Sequence, residues 1–222
     1  MPVRWLPLLA LLMPAATHAA PRPFAVVAHL ATNDPDTTKK WLTRQLAEAN
    51  RHFAGAGIAF EVVETRALPR SFTVVDNIRE RIKLRRHFRP RVINIFVVDR
   101  VLDPHPSEST RRAARRVGRE PSGELAGAHI LSGARRVPRT FILASRSASS
   151  AVTLTHELGH FFWLPHHRDP GNIMSYGARR QTFDARQIGA LEAMARIYRR
   201  RRVVRSVGRA GSRGTGSARR GE

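Results

Sequence analysis

Residues 155–177 read THELGHFFWLPHHRDPGNIMSYG, and this stretch constrains the chain more than any other. His156 and His160 are four apart. On a helix that spacing puts both imidazoles on one face, one turn apart, where two ring nitrogens can meet one ion. The neighbouring Val152, Leu154, Leu158, Phe161 and Phe162 are apolar, so the helix is expected to be buried with its histidines turned inward. Buried histidines need partners, and one ion satisfies both. Neutral imidazole suits zinc, and two ligands leave room for a third and for a water. Glu157, three residues before His160, lies near the same face without having to be a ligand. A carboxylate there can take a proton from the water.

The rest of the chain reads as one domain of mixed α and β structure. Phe24–Thr32 is a buried strand, and the run NDPDTT after it breaks the strand and caps a helix. Trp41, Leu42, Leu46, Ala49 and Phe53 form one apolar stripe at helical spacing, and Gly55 and Gly57 end that helix. Residues 58–63 form a second strand, 75–88 a short basic helix, and 91–99 the most apolar strand. The polar segment 105–124 is a long loop. Residues 127–133 and 139–145 are two further strands that can pair with each other. Ser147–Ser150 supplies N-caps for the histidine helix, and Pro165 stops it. Residues 183–200 form a final amphipathic helix with the stripe Ile188, Leu191, Met194, Ala195 and Tyr198. Three segments are expected: a secretory signal over residues 1–20, a folded domain over 21–200 and a disordered arginine-rich tail over 201–222. In the signal, Arg4 supplies the positive start, and an apolar run with Pro7 and Pro14 is too short to span a membrane. No later apolar run is long enough either, and a secreted or periplasmic location is expected. With the first strand starting directly after the signal, no inhibitory prosegment is expected.

Composition narrows the function. The chain has no cysteine, which excludes disulfides, thiolate metal sites and thiol-based latency. Its formal net charge is +22, and all but three of its 39 basic residues are arginine. Two readings of that charge stay open: attraction to anionic polymers or surfaces, or arginine-rich coding. The basic runs lack interleaved aromatics and no base-reading motif is present, so specific nucleic-acid recognition is not expected.

His166 lies six residues after His160, and Met174 eight beyond that, inside NIMSY. With His156, Glu157 and His160 this spacing resembles the metzincin zinc endopeptidases, whose motif is HExxHxxGxxH followed by a Met-turn. Ala49–Val62 resembles the early helix-to-strand passage of bacterial and pappalysin-like members. The order of elements is similar over the whole domain. The resemblance implies an α+β fold: a twisted mixed sheet of about five strands, an active-site helix, a Met-turn and a C-terminal helix. It implies that His156, His160 and His166 bind Zn2+, that Glu157 is general base and then acid, and that Met174 forms an apolar floor. Tyr176 stands where astacin- and serralysin-like members carry a tyrosine that reaches the metal or the oxyanion. It also implies that residues 127–133 form an edge strand that binds substrate main chain.

Trp163 departs from that pattern, because the family has glycine there. A bulky residue in left-handed geometry costs roughly 1–2 kcal/mol, small beside the order of 10 kcal/mol that structural zinc binding contributes. His167 is a fallback third ligand whose ordinary role is solvent-facing or second to the metal. Glu192 on the last helix is the rival in a gluzincin-type arrangement, and the extended motif favours His166. His29 and His129 are expected to be satisfied strand histidines, His52, His87 and His105 to be exposed, and Asp169 to serve a turn. The expected function is an exported, monomeric zinc endopeptidase acting on a protein or peptide. The alternative is a non-enzymatic binder of anionic polymers with a structural or relic zinc site.

Overall fold

A computed structural model describes residues 22–102, 124–125, 127–130, 141–148, 150–177 and 179–207. The expected signal, His105 with most of its loop, and the tail beyond Val207 lie outside the described residues, as does the His129 side chain. The elements are β1 (Phe24–Ala31), α1 (Pro35–Phe53), β2 (Phe60–Ala67), β3 (Val74–Val75), α2 (Ile78–Lys83), β4 (Ile93–Val98), β5 (Arg100–Leu102), β6 (Glu124–Leu125), β7 (Gly127–Ile130), β8 (Phe141–Ser145), α3 (Thr153–Phe161) and α4 (Ala185–Arg200).

Five strands form the main sheet in the order β2–β1–β4–β8–β7. The first four are parallel, and β7 runs antiparallel to β8, with Gly127 opposite Ala144 and Ile130 opposite Phe141. The strands β3, β5 and β6 make a small second sheet. The unbroken apolar runs of β1, β4 and β8 are what a sheet covered on both faces demands. Val26, Ala28, Leu30, Ile93, Ile95 and Ile142 face one core with the apolar stripes of α1, α3 and α4. Phe96, Val98, Phe141 and Leu143 face the other, closed by Phe72, Val75 and Leu84. The expected mixed sheet of about five strands with two later helices is the fold observed.

Local signals place α1. Asp34 accepts from Thr37 N, Pro35 occupies the first turn, and Gly57 leaves the helix end at φ 61°. All five residues of its expected stripe are buried. Four expectations are corrected. The second strand starts at Phe60, because Ile58 is still in the turn after Gly57, although it is buried. The basic segment is a two-residue strand, a six-residue helix and a 3-10 turn over Leu84–His87. The tail is ordered further than expected: Arg205 O accepts from Ala25 N, Val207 N donates to Pro23 O, and Val204 is buried.

The fourth correction concerns α3. Its N-cap, Val152, has no side-chain cap, and Ser150 Oγ accepts from Val152 N at 3.4 Å rather than from the first turn of the helix. Gln45 of α1 caps that turn across the core, accepting from Leu154 N at 3.0 Å and donating to Ser150 O at 2.9 Å. Gln45→Ala removes the acceptor of Leu154 N, whereas Ser150 O keeps the Thr153 hydroxyl as a donor at 3.1 Å. The substitution should cost about 1–3 kcal/mol in denaturant unfolding; a neutral result would show the cap to be dispensable.

His29 is fully buried in β1, stacked on Phe96 at 4.3 Å. Asn94 Oδ1 already accepts from Arg89 N, and it accepts from His29 Nε2 at 3.0 Å. Burial therefore holds the imidazole neutral, with its pKa lowered to about 4. The unfolded chain binds this proton first, so the contribution is complete above about pH 6.5 and is lost as pH falls towards 4. Over that window the wild type should lose about 3 kcal/mol more than His29→Phe. Equal slopes for the two proteins in pH-dependent denaturation would overturn this assignment.

Candidate metal centre

α3 carries His156, Glu157 and His160 into the core side of the sheet, with His156 and Glu157 each only 6% exposed. Two backbone carbonyls orient the rings. His156 Nδ1 lies 2.8 Å from Ile173 O, and His160 Nδ1 lies 2.8 Å from Leu164 O. A carbonyl only accepts, so both Nδ1 atoms carry the proton and both Nε2 atoms present bare lone pairs. Those two Nε2 atoms are 3.2 Å apart, and His166 Nε2 is 3.0 Å from His160 Nε2. Two acceptors at that distance repel unless a cation lies between them. The spacing approaches the roughly 3.3 Å that nitrogens about 2.0–2.1 Å from one tetrahedral centre require. Among the described residues, His156, His160 and His166 are the group whose donor atoms all lie within 4.8 Å of one another. The donor set and its tautomers fit a zinc ion.

Burial holds His156 down to about 3 and His166 to about 4, and it lowers His160 as well, so all three rings are neutral at pH 7. Neutral imidazole is the ligating form. Burial also pushes the Glu157 carboxyl up to about 8, opposed by the charge of Arg180. Burial raises Tyr176 and Glu157 adds to that rise, while Arg180 adds to the lowering of His156, so these side chains share one electrostatic space. Exposure rises from buried His156 through His160 to exposed His166, which opens the centre to solvent on the His166 side.

The chain beyond α3 delivers the third histidine. Trp163 stands at φ 68°, in the left-handed region where glycine is at ease. Trp163 N donates to His160 O and Leu164 N to Gly159 O, the two bonds of a Schellman cap. The indole offsets the strain of that turn: Trp163 Nε1 donates to Tyr198 OH at 2.9 Å, and Tyr198 OH donates to Phe161 O at 2.9 Å. A tryptophan thus keeps the turn expected of glycine and ties it to the last turn of α4.

Met174 is fully buried against α3. A Cβ on Gly159 would lie 2.3 Å from its sulfur, so the helix needs glycine there for the methionine to pack against it. Asn172 and Gln187, both buried, pair through their amides at 2.8 and 3.2 Å. Asn172 Oδ1 also accepts from Met174 N, while Gln187 completes the capping box of α4 with Asp184. The turn bearing Met174 is therefore anchored to the start of α4.

Tyr176 is placed differently from expectation. Its hydroxyl lies 2.9 Å from His166 Nδ1 and its ring is tilted over that imidazole at 4.1 Å, so it meets the side of the ring away from the Nε2 cluster. His167 is turned away, near Asp184 at 3.6 Å, and Glu192 is not among the clustered groups. Asp169 does serve the turn, accepting from Gly171 N at 2.8 Å. His52 and His87 are half-buried rather than exposed, and burial lowers the pKa of both. Arg180, Asn172 and Gln45 join the site without having been expected there. Arg180 is one of many arginines and carries no motif; Gln187 was legible as the fourth residue of a capping box.

No family profile matches the chain, and no curated protein sequence matches it. Among solved structures it is similar to metalloproteinase-II from Bacteroides fragilis, with TM-score 0.54 and 12% identity over 80% of this chain and 55% of that one. It therefore spans about half the length of that protein. It is also similar to archaemetzincin from Methanopyrus kandleri, with TM-score 0.53 and 14% identity over 78% of this chain and 96% of that one. At these identities the likeness shows the fold, which is zincin-like.

Because Trp163 occupies the left-handed region, Trp163→Gly should be more stable than Trp163→Ala by about 1 kcal/mol: both lose the indole and only alanine keeps the strain. Thermal or denaturant unfolding of the two variants measures this; alanine equal to or better than glycine would contradict the turn geometry.

Proposed function

We propose that this chain is an exported, metzincin-type zinc endopeptidase. The observation that carries the reading is the convergence of three histidine Nε2 atoms, two of them with lone pairs bared by carbonyls at Nδ1, beside one buried carboxyl group. A structural site has no need of the unliganded carboxyl. His156, His160 and His166 would hold the ion. When bound, zinc supplies Lewis acidity, lowering the pKa of a water towards about 7 and polarising a peptide carbonyl.

The chain's own groups supply the rest. Glu157 takes the proton from the water and returns it to the leaving amine. A carboxyl pushed up by burial to about 8 suits a group that must both accept and give a proton near neutrality. Arg180 places a positive charge beside that carboxyl and favours its ionised form. Tyr176 holds the imidazole of His166 from behind, its hydroxyl oxygen accepting from Nδ1 and its ring tilted over the imidazole at 4.1 Å. Met174 closes the floor. β7 is the outer strand of the main sheet among the described residues, the position from which a strand can pair with a substrate main chain in extended form. Among the described residues no helix is long and apolar enough to cross a membrane.

The test is cleavage of an unfolded protein substrate by the wild type and by Glu157→Gln, with metal content determined on both. Glu157→Gln should keep its zinc and lose about 10²–10⁴-fold in rate. Zinc in both proteins with equal rates would remove Glu157 from the reaction. Zinc in both with cleavage by neither would favour the reading as a binder of anionic polymers.

A further inference from the structure

Away from the histidines, a cleft of about 450 Å³ opens where three segments meet. Arg22 comes from the approach to β1, Arg91 from the approach to β4, and Arg199, Arg202 and Arg205 from the end of α4 and the chain after it. Ser206 completes the wall. The segments are stitched by backbone bonds: Arg205 N donates to Arg91 O at 2.8 Å, and Ser206 bridges antiparallel to Phe24. None of the metal-centre side chains lines this cleft, so its role is independent of the peptidase reading.

The convergence of charge is built into the fold. Arg199 is fixed as one wall, its guanidinium 4.7 Å from the Phe24 ring centroid and donating to Gly57 O at 3.1 Å. The other four arginines are exposed. The adjoining cleft shares Arg91 and Arg205 and also holds Glu64, whose carboxylate pairs with Arg66 and Arg89. Among the described residues no carboxylate pairs with Arg22, Arg91, Arg199, Arg202 or Arg205. Like charges gathered in one concavity repel each other unless an anion shares it.

Backbone geometry adds a second, independent observation. Among the described residues three that are not glycine have positive φ, and two of them are Arg91 at 58° and Arg202 at 51°. That region is unfavourable for any residue with a Cβ. An arginine-rich composition explains how many arginines the chain has. It does not explain why two positions that favour glycine both carry arginine and both line one cleft.

We propose that this cleft binds a multiply charged phosphate ligand. The guanidinium fork matches phosphate oxygens in a bidentate manner, and several convergent cations call for more charge than a single carboxylate brings. The phosphate has two candidate sources, a soluble oligophosphate or the headgroups of an anionic lipid surface.

The experiment titrates the full chain with tripolyphosphate, and in a second arm with vesicles containing phosphatidylglycerol, at about 0.15 M salt to screen general attraction. The variant is Arg91→Gly with Arg202→Gly, which removes two charges and leaves both backbone positions relaxed, so folding is retained. The control, Arg44→Gln with Arg79→Gln, removes two exposed charges elsewhere. Tripolyphosphate affinity should fall by about tenfold or more in the cleft variant and by less than about twofold in the control. The same dependence in the vesicle arm alone supports the cleft and assigns the phosphate to lipid headgroups. Equal loss in variant and control, or no binding in either arm, overturns the proposal.

Discussion

Two hydrogen bonds, from His156 Nδ1 to Ile173 O and from His160 Nδ1 to Leu164 O, organise the centre on which the rest depends. Each ties a ring on α3 to the chain that leaves it, and each fixes the tautomer that bares Nε2. The helix alone would align the two rings; it would not decide which nitrogen faces inward. Because the carbonyls belong to the turns before His166 and Met174, the same bonds hold those turns against the helix. Ring orientation and the packing of these turns therefore rest on the same two bonds.

The supports around this centre come from every side of the core. Gln45 on α1 caps the start of α3. Trp163 and Tyr198 close its end by a bond between the cap and the last turn of α4. Asn172 and Gln187 fasten the turn below it to the first turn of α4. Three polar contacts, each linking segments far apart in the chain, thus surround a helix of nine residues. Such a helix is too short to be stable by itself, so its position depends on these contacts and on the apolar packing beneath them.

Trp163 shows how a departure from a motif can preserve its geometry. The position needs a left-handed residue, and glycine meets that need without cost. Here the backbone is left-handed all the same, and the strain is set against a hydrogen bond that glycine has no atom to make. The arginine cleft repeats the pattern at Arg91 and Arg202, where left-handed positions again carry long side chains. Beyond α4, residues 201–207 fold back on β1 because backbone groups at Pro23, Ala25 and Arg91 are there to pair with.

Local pattern was enough for the parts governed by neighbours in sequence. The i, i+4 histidines, the apolar stripe of α1 and the unbroken apolar strands each follow from helix or strand period, so the sequence by itself determined a mixed sheet with a buried histidine helix. Spacing also marked Met174 and His166 as residues to watch. The tertiary structure alone decided the contacts between distant segments: the Gln45 cap from 109 residues away, the Asn172–Gln187 pair, the Trp163–Tyr198 bond and the side of His166 that Tyr176 meets. It also decided which five of the many arginines share a cleft. A period along the chain records which face a residue presents, but not which partner the packed core brings to that face.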